Sequence, residues 1–403
     1  MTARDKPLRQ SASSFCGGLR TPEALRLLKS EKWQTFPPDI WPAFVAEMDF
    51  PAAPEIIADI ETIVSASDLG YPYWDGAGPK DHLASSFAHK MQNDYGLEIR
   101  QTLAIPLVDV VQGLYAAILA YTKPGDAIVV PVPCYPPMRT AVLSTGRRIL
   151  PLPLSVAANR YIFNQAQLEE FCRSATMIIL CNPHNPTGKV YSREELENIS
   201  EIAEENDLVV VSDEVHSDLV FQGYEHIPYW SISHSARRRS VTLMSATKSF
   251  NIAGARCAVA YFGEQNLLSR FQSIIPPRLL GEPNVFGIRA TLTAWGRGQR
   301  WLSDLKLYLE DVRRHVSVFL ATELPEIDFV PPQGTYFAWI DFNSYQLNRA
   351  ASAFLMQEAG VALSPGEAFD PSLTQFARFN FAMSKGDLDR ALSAIAQAIK
   401  YKQ

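Results

Sequence analysis

Cysteine is sparse: Cys16, Cys134, Cys172, Cys181 and Cys257 are five in number and scattered without metal-ligand spacing. An odd, dispersed set argues against a disulfide framework and a metal centre, and predicts a reduced, cytoplasmic protein. No block of basic residues interrupts a formal net charge of -6, so nucleic acid is not an expected partner. No apolar run approaches the length that spans a bilayer, so no membrane partner is expected. The opening MTARDKPLRQSASSFCGG lacks the apolar core of a secretion signal and reads as a loose tail. Internal repeats and low-complexity segments are missing too.

What the chain has is length and pattern. Its 403 residues, 47% hydrophobic and 20% charged, suffice for one large core and a smaller one, so two domains are expected. The organising stretch is SVTLMSATKSFNIAGARCAVAYFG at 240–263, which reads as an apolar strand at 241–244, a small-residue turn carrying Lys248, and a second apolar strand at 255–262. An ammonium at the mouth of two buried strands resists leaving water. Lys248 is therefore either a solvated loop lysine or a Schiff-base lysine activated by partial burial and a cationic neighbour, a place Arg256 would fill.

Before that stretch, elements alternate. A short helix and a Pro-rich crossing lead to FVAEMDFPAAP, and a helical pattern from Pro54 breaks at the aromatic, glycine-rich LGYPYWDGAG. Residues 110–122 read as a helix, KPGD as a turn, AIVVPVP as a strand, then a helix to about Ser144 and an extended RRILPLPL. ATMIILC is a buried strand, NPHNPTG a loop, and SREELENISEIAEEND a helix opened by a capping box of Ser192 and Glu195. LVVVS shows no polar alternation, as expected when both sheet faces are covered. This alternation predicts a mostly parallel α/β sheet. After Pro283 a long helix carries Leu305, Leu309, Val312, Val316 and Phe319 on one stripe, and ARFNFAM reads as a strand. A last helix with Leu388, Leu392, Ile395 and Ile399 on one face completes a smaller α+β unit.

Ligands of an open α/β sheet sit at the carboxyl ends of its strands. Four segments place polar residues there: Asn182 and Asn185, Asp213 and His216, Ser245 and Lys248, and the turn at 109–111. Taken singly, each has a plainer reading. The aspartates serve as helix caps, NPTG as a turn, and His216 as a satisfied structural histidine.

Together, in this order, CNPHNPTG, SDEVHSDLVF and SATKSFNIAG resemble the fold-type I pyridoxal-phosphate enzymes of the aminotransferase class I/II superfamily. VAEMDFP and GYPY further resemble its cystathionine β-lyase or C–S lyase branch, which includes the maltose-regulon modulator type. The resemblance covers about residues 33–400. It implies a large cofactor-binding domain at 46–295, with a mostly parallel, seven-stranded type of sheet between helices. Residues 1–45 and 296–403 would form the small domain.

The resemblance also implies roles. Lys248 would tether the cofactor and then serve as the base. Asp213 would keep its ring nitrogen protonated, Asn185 would donate to the phenolic oxygen with His216 nearby, and Tyr135 would stack on the ring. The phosphate would meet the helix start at Asp109, Val110 and Val111, with Ser245 and Arg256. Arg378 would take the substrate carboxylate, its plainer reading being an Arg–Asp bridge, and Asn182 is placed on the substrate side. Tyr71 would cross a dimer interface to the neighbour's phosphate, with Tyr73 and Trp74 shaping the neighbour's substrate pocket.

Three departures qualify the pattern. Asp109 stands where the branch has a small residue, which suggests that it turns outward or caps the helix. Arg256 stands where the branch often has an uncharged residue and aminotransferases have arginine. Pro136 replaces a His or Tyr after the stacking tyrosine. The implied activity is α,β-elimination of a cysteine S-conjugate in a homodimer with shared sites. Transamination, or a decarboxylating or oxidative variant, is the alternative on the same scaffold.

Overall fold

The computed structural model describes residues 18–402, so the tail read at the start of the chain lies, with Cys16, outside the described residues. Strand β1 is Trp41–Ala43, β2 Ala104–Leu107, β3 Ala127–Val132, β4 Arg148–Ala157, β5 Arg160–Phe163 and β6 Ala175–Cys181. Then follow β7 Val209–Asp213, β8 Ser240–Met244, β9 Ala258–Phe262, β10 Phe337–Asp341, β11 Val361–Pro365 and β12 Phe376–Asn380.

The large sheet has the order β2-β9-β8-β7-β6-β3-β4-β5. Strands β8, β7, β6, β3 and β4 pair in parallel; β9 runs antiparallel to both β8 and β2, so β2 points the same way as the parallel core. The first seven in this order are the expected sheet. The eighth, β5, folds back on β4 through Ala158 and Asn159, whose φ values of 49° and 58° make the two-residue hairpin turn with positive φ at both positions.

Strands β3 and β8 are buried along their whole length, as uninterrupted apolar strands between helical layers must be. Helix Val110–Tyr121 lies close against this sheet because Gly113 has no side chain: a Cβ there would stand 2.5 Å from Leu107 and 2.8 Å from Leu243. The capping box forms as read, with Ser192 Oγ accepting from the Glu195 amide at 3.2 Å and Glu195 Oε2 accepting from the Ser192 amide at 2.9 Å.

The second sheet has the order β1-β11-β12-β10. Neither β1 nor β11 was expected from the pattern, yet they pair in parallel and tie residues 41–43 to 361–363. The long helix divides into Val285–Arg297 and Gln299–Glu323, and the second piece buries Leu305, Leu309, Val312 and Val316. Its stripe then continues through buried Leu320 rather than half-buried Phe319. Helix Lys385–Lys402 buries Leu388, Leu392, Ile395 and Ile399 as expected. The strand expected from 255 begins at Ala258, because Ala253–Ala255 forms a 3-10 turn.

Candidate active site

A cavity of about 550 Å³ opens at the carboxyl ends of the parallel strands and is closed on its far side by residues 45–47 and by Arg378 on β12. Lys248 sits on the tight turn after β8. Asn251 fastens that turn to residues 48–50, accepting from the Met48 amide at 2.9 Å and donating to the carbonyls of Met48 at 3.0 Å and Phe50 at 2.7 Å. Asn380 holds the preceding residues by donating to the carbonyls of Val45 and Glu47, each at 2.7 Å. The VAEMDFP segment is thereby pinned from two sides, which brings the Ala46 carbonyl to 3.3 Å from Lys248 Nζ.

Burial, then the Arg378 charge, lowers the Lys248 ammonium to about 8, against the opposite pull of Asp213, Glu47 and Glu31. Lys248 thus lines the cavity rather than standing on an open loop. The cation that acts on it is Arg378 rather than Arg256, whose guanidinium pairs with Asp109 Oδ2 at 2.7 Å.

Asp213 ends β7 and accepts from the Val215 amide at 3.1 Å. Burial raises its carboxyl to about 7; the Val215 amide and Lys248 lower it less than burial raises it. His216 lies between the edges of Tyr336 and Phe337, at ring distances of 6.1 and 5.7 Å. Burial, with Lys248 and Arg378, holds it neutral, its pKa lowered to about 3. Its Nδ1 has no partner among the described residues, so it departs from the satisfied structural histidine of the plainer reading.

Arg378 donates to Asn185 Oδ1 at 2.9 Å, to the Phe44 carbonyl at 2.7 Å and to Ser364 Oγ at 3.0 Å, and stacks over Phe337 at 4.1 Å. No acidic side chain among the described residues pairs with it, so the Arg–Asp bridge is not formed. Its Nε is buried without a partner, and burial lowers the guanidinium to about 10. Because an arginine only donates, the Asn185 atom facing it is the oxygen, which leaves the NH₂ group of Asn185 for the cavity. Tyr135, immediately before helix Pro136–Ser144, forms another wall.

Asp109 caps helix Val110–Tyr121, its Oδ1 accepting from the Gln112 amide at 2.7 Å. Val110 and Val111, on the cavity, are the first helical residues, whose amides have no intrahelical partner. The NPTG loop is held by Gly188, at φ 68°, where a Cβ would lie 2.3 Å from Pro332 Cβ.

Several expected residues lie elsewhere. Ser245 is buried behind the wall and donates to the Cys257 carbonyl at 2.6 Å; Thr247 takes the cavity position, its amide donating to Ser245 Oγ at 3.1 Å. Asn182 also stays off the cavity, because its Oδ1 accepts from the Tyr191 amide at 3.3 Å. In this chain Tyr71 is fully exposed, Tyr73 donates to the Gly76 carbonyl at 2.9 Å, and Trp74 packs on His82 and Arg289; none reaches the cavity. Glu31, Glu47 and Thr247 line the cavity without having been singled out in the sequence. Glu47 and Thr247 fall inside quoted motifs, but nothing local marks Glu31 or Asn380.

The chain matches the family described as aminotransferase class I and II over residues 50–395, and it belongs to that family. It is similar to cystathionine beta-lyase PatB of Bacillus subtilis (strain 168), with 34% identity over 364 residues, 90% of this chain and 93% of that protein. It is similar to the cystathionine beta-lyase of Corynebacterium glutamicum, with 32% identity over 379 residues, 94% of this chain and 98% of that one. Among solved structures, the pyridoxal-phosphate-bound C–S lyase of Staphylococcus hominis superposes with a TM-score of 0.86 at 26% identity, covering 93% of this chain and 96% of that one. The fold is that of the fold-type I pyridoxal-phosphate transferases.

Proposed function

We propose that the protein is a pyridoxal-phosphate-dependent C–S lyase that cleaves a cysteine S-conjugate by α,β-elimination to a thiol, pyruvate and ammonia. The observation that carries the amino-acid chemistry is the pairing, in one cavity, of a buried arginine lacking an acidic partner with a lysine whose ammonium is lowered to about 8. The choice of C–S cleavage over transamination rests on the relatives named cystathionine beta-lyase, which align along nearly their whole length.

The residues fit the cofactor. A buried carboxyl raised to about 7 by burial regains its charge opposite a protonated ring nitrogen, which Asp213 would hold in that state. Asn185 would offer its NH₂ group to the phenolic oxygen, Tyr135 would cover a ring face, and the amides of Val110 and Val111 offer an anion site at a helix start. Thr247 joins them with Ser245 behind it, and Asp109 holds Arg256 at the rim. Pyridoxal phosphate, when bound there, supplies the electron sink that stabilises the pair left at Cα.

Arg378 receives the substrate α-carboxylate and fixes the orientation of Cα. Lys248 would hold the cofactor, and its amine, in the neutral form, is the group placed to accept the Cα proton. The electron pair then expels sulfur from Cβ as thiolate, and the enamine released hydrolyses to pyruvate and ammonia.

We place 46–295 in a large cofactor-binding domain, the described part of 1–45 with that of 296–403 in a small one, and the enzyme in the cytoplasm as a homodimer. The buried, unpaired state of Cys134, Cys172, Cys181 and Cys257 supports a reducing compartment. Among the described residues, no helix is long and apolar enough to cross a membrane. The exposed Tyr71 and Tyr73, outside their own chain's cavity, support a loop that serves a partner. Incubating the purified enzyme with cysteine conjugates and assaying pyruvate, free thiol and keto acid together tests the reading. Thiol and pyruvate in equal amounts are expected; a keto acid retaining the sulfur would make it an aminotransferase.

A further inference from the structure

Residues 44–47 run along the substrate side of the cavity. The Phe44 carbonyl accepts from Arg378 at 2.7 Å, the Ala46 carbonyl lies 3.3 Å from Lys248 Nζ, and Glu47 comes next. The Glu47 backbone is pinned, its carbonyl accepting from Lys32 at 3.2 Å and Asn380 at 2.7 Å. The Glu47 carboxylate, on the cavity wall, makes no hydrogen bond or ion pair among the described residues. The same holds for Glu31, first residue of the short helix Glu31–Gln34, at the same wall. Both glutamates line the same cavity as Lys248 and Arg378.

The other charges of the cavity are accounted for. Arg256 pairs with Asp109, while Asp213 would serve the cofactor, Lys248 the proton transfer and Arg378 the substrate carboxylate. Arg378 Nε and His216 Nδ1 have no partner among the described residues, in side chains 5% and 2% exposed on this same cavity, so the cavity is built to take a polar ligand. What remains is negative and without a counterion.

We infer that the site selects conjugates whose sulfur substituent carries a positive charge, and that Glu47 and Glu31 recognise it. The inference rests on the C–S lyase reading above. Arg378 holds the α-carboxylate at one end, so a protonated nitrogen extending beyond the sulfur meets the glutamates. A carboxylate in that place meets like charge instead.

The test uses holoenzyme and two matched series. Pyruvate release is measured with S-(2-aminoethyl)-, S-propyl- and S-(carboxymethyl)-L-cysteine. Competitive inhibition is measured with L-lysine, L-norleucine and L-2-aminoadipate, which have no Cβ–S bond to break. The cationic member is expected to lead the neutral one by roughly five- to tenfold in each series, the scale of one half-exposed ion pair, with the anionic member last. In Glu47→Gln and Glu31→Gln the ratio of cationic to neutral should fall toward one. Because each variant is judged by its own ratio, differences in leaving group or overall activity cancel. Equal or reversed order, or ratios untouched by both substitutions, would overturn the inference. If no conjugate yields pyruvate while lysine still outcompetes norleucine through Glu47 and Glu31, the charge selection stands and the lyase reading fails.

Discussion

Replacing Asp218 with asparagine should loosen the enzyme from beneath its lysine. Asp218 pairs with Lys90, and its Oδ2 accepts from Ser249 Oγ at 2.8 Å; Ser249 is the residue next to Lys248. Lys90 is 3% exposed, and its other carboxylate, Asp94 at 2.6 Å, lies toward the surface. Asparagine keeps the shape and an acceptor for Ser249 but leaves a buried ammonium with half its compensation. Breaking one side of a buried pair costs about 3–5 kcal/mol, which for a chain of this length lowers Tm by roughly 4–6 °C. Burial is the largest single influence, lowering Lys90 and raising Asp218, yet the charges and hydrogen bonds around each together outweigh it: Lys90 is held above its ordinary value and Asp218 below its own. The raised lysine contributes fully below the unfolded lysine pKa, and the depressed aspartate contributes fully above the unfolded aspartate pKa. The Tm gap should therefore stay constant from about pH 5 to 9 and close below roughly pH 4, as the wild-type carboxylate protonates. Thermal melts of wild type, Asp218→Asn and Asp218→Asn with Lys90→Met decide the matter. The double variant should recover most of the loss. A single variant melting within about 1 °C of wild type, or a double variant melting lower still, would refute the reasoning.

Lys248→Ala should lose nearly all turnover, and borohydride should no longer fix the cofactor to the chain; a variant with full activity would remove Lys248 from the mechanism. Asp213→Ala should bind cofactor weakly and lose about a hundredfold or more in kcat, the scale of about 3 kcal/mol from a lost electrostatic partner, read by steady-state kinetics. Arg378→Lys keeps a charge but not the fork, and should raise KM roughly a hundredfold with a smaller change in kcat. Mixing inactive Lys248→Ala and Tyr71→Asp chains should restore activity approaching a quarter of wild type per total site, since about half the dimers are mixed and each has one good site. No recovery despite subunit exchange would assign the aromatic loop to its own chain.

The parallel core and its strand-end residues were legible because their signals are local: apolar runs closed by polar turns, and a capping box whose ends are three positions apart. Lys248, Asp213 and Asn185 lie on the cavity for that reason. Side-chain direction on a turn is not local. Nothing in SATK says that Ser245 turns to the Cys257 carbonyl while Thr247 faces the cavity. Likewise Arg256 sits at φ 49°, and its pairing with Asp109 depends on a residue 147 positions away. Strand β1 has three residues, one of them proline, and forms only because β11 offers an edge. The anchoring by Asn251 and Asn380 is equally nonlocal, and the glutamates gain their meaning only once residues 44–47 are laid across the cavity.

That anchoring has a consequence for the order in which the molecule is made. Residues 45–50 leave the ribosome early, yet the groups that hold them, Asn251 and then Asn380, are translated some 200 and 330 residues later. A growing chain that has finished β8 already contains Asn185 and Asp213, with Lys248 following on the next turn, whereas the carboxylate clamp arrives only with β12. The cofactor half of the cavity is thus complete in sequence long before the substrate half, and the early segment gains its first anchor with Asn251 and its second only with Asn380. Folding of the active enzyme is in this sense a closure of the chain's beginning onto its latest strand.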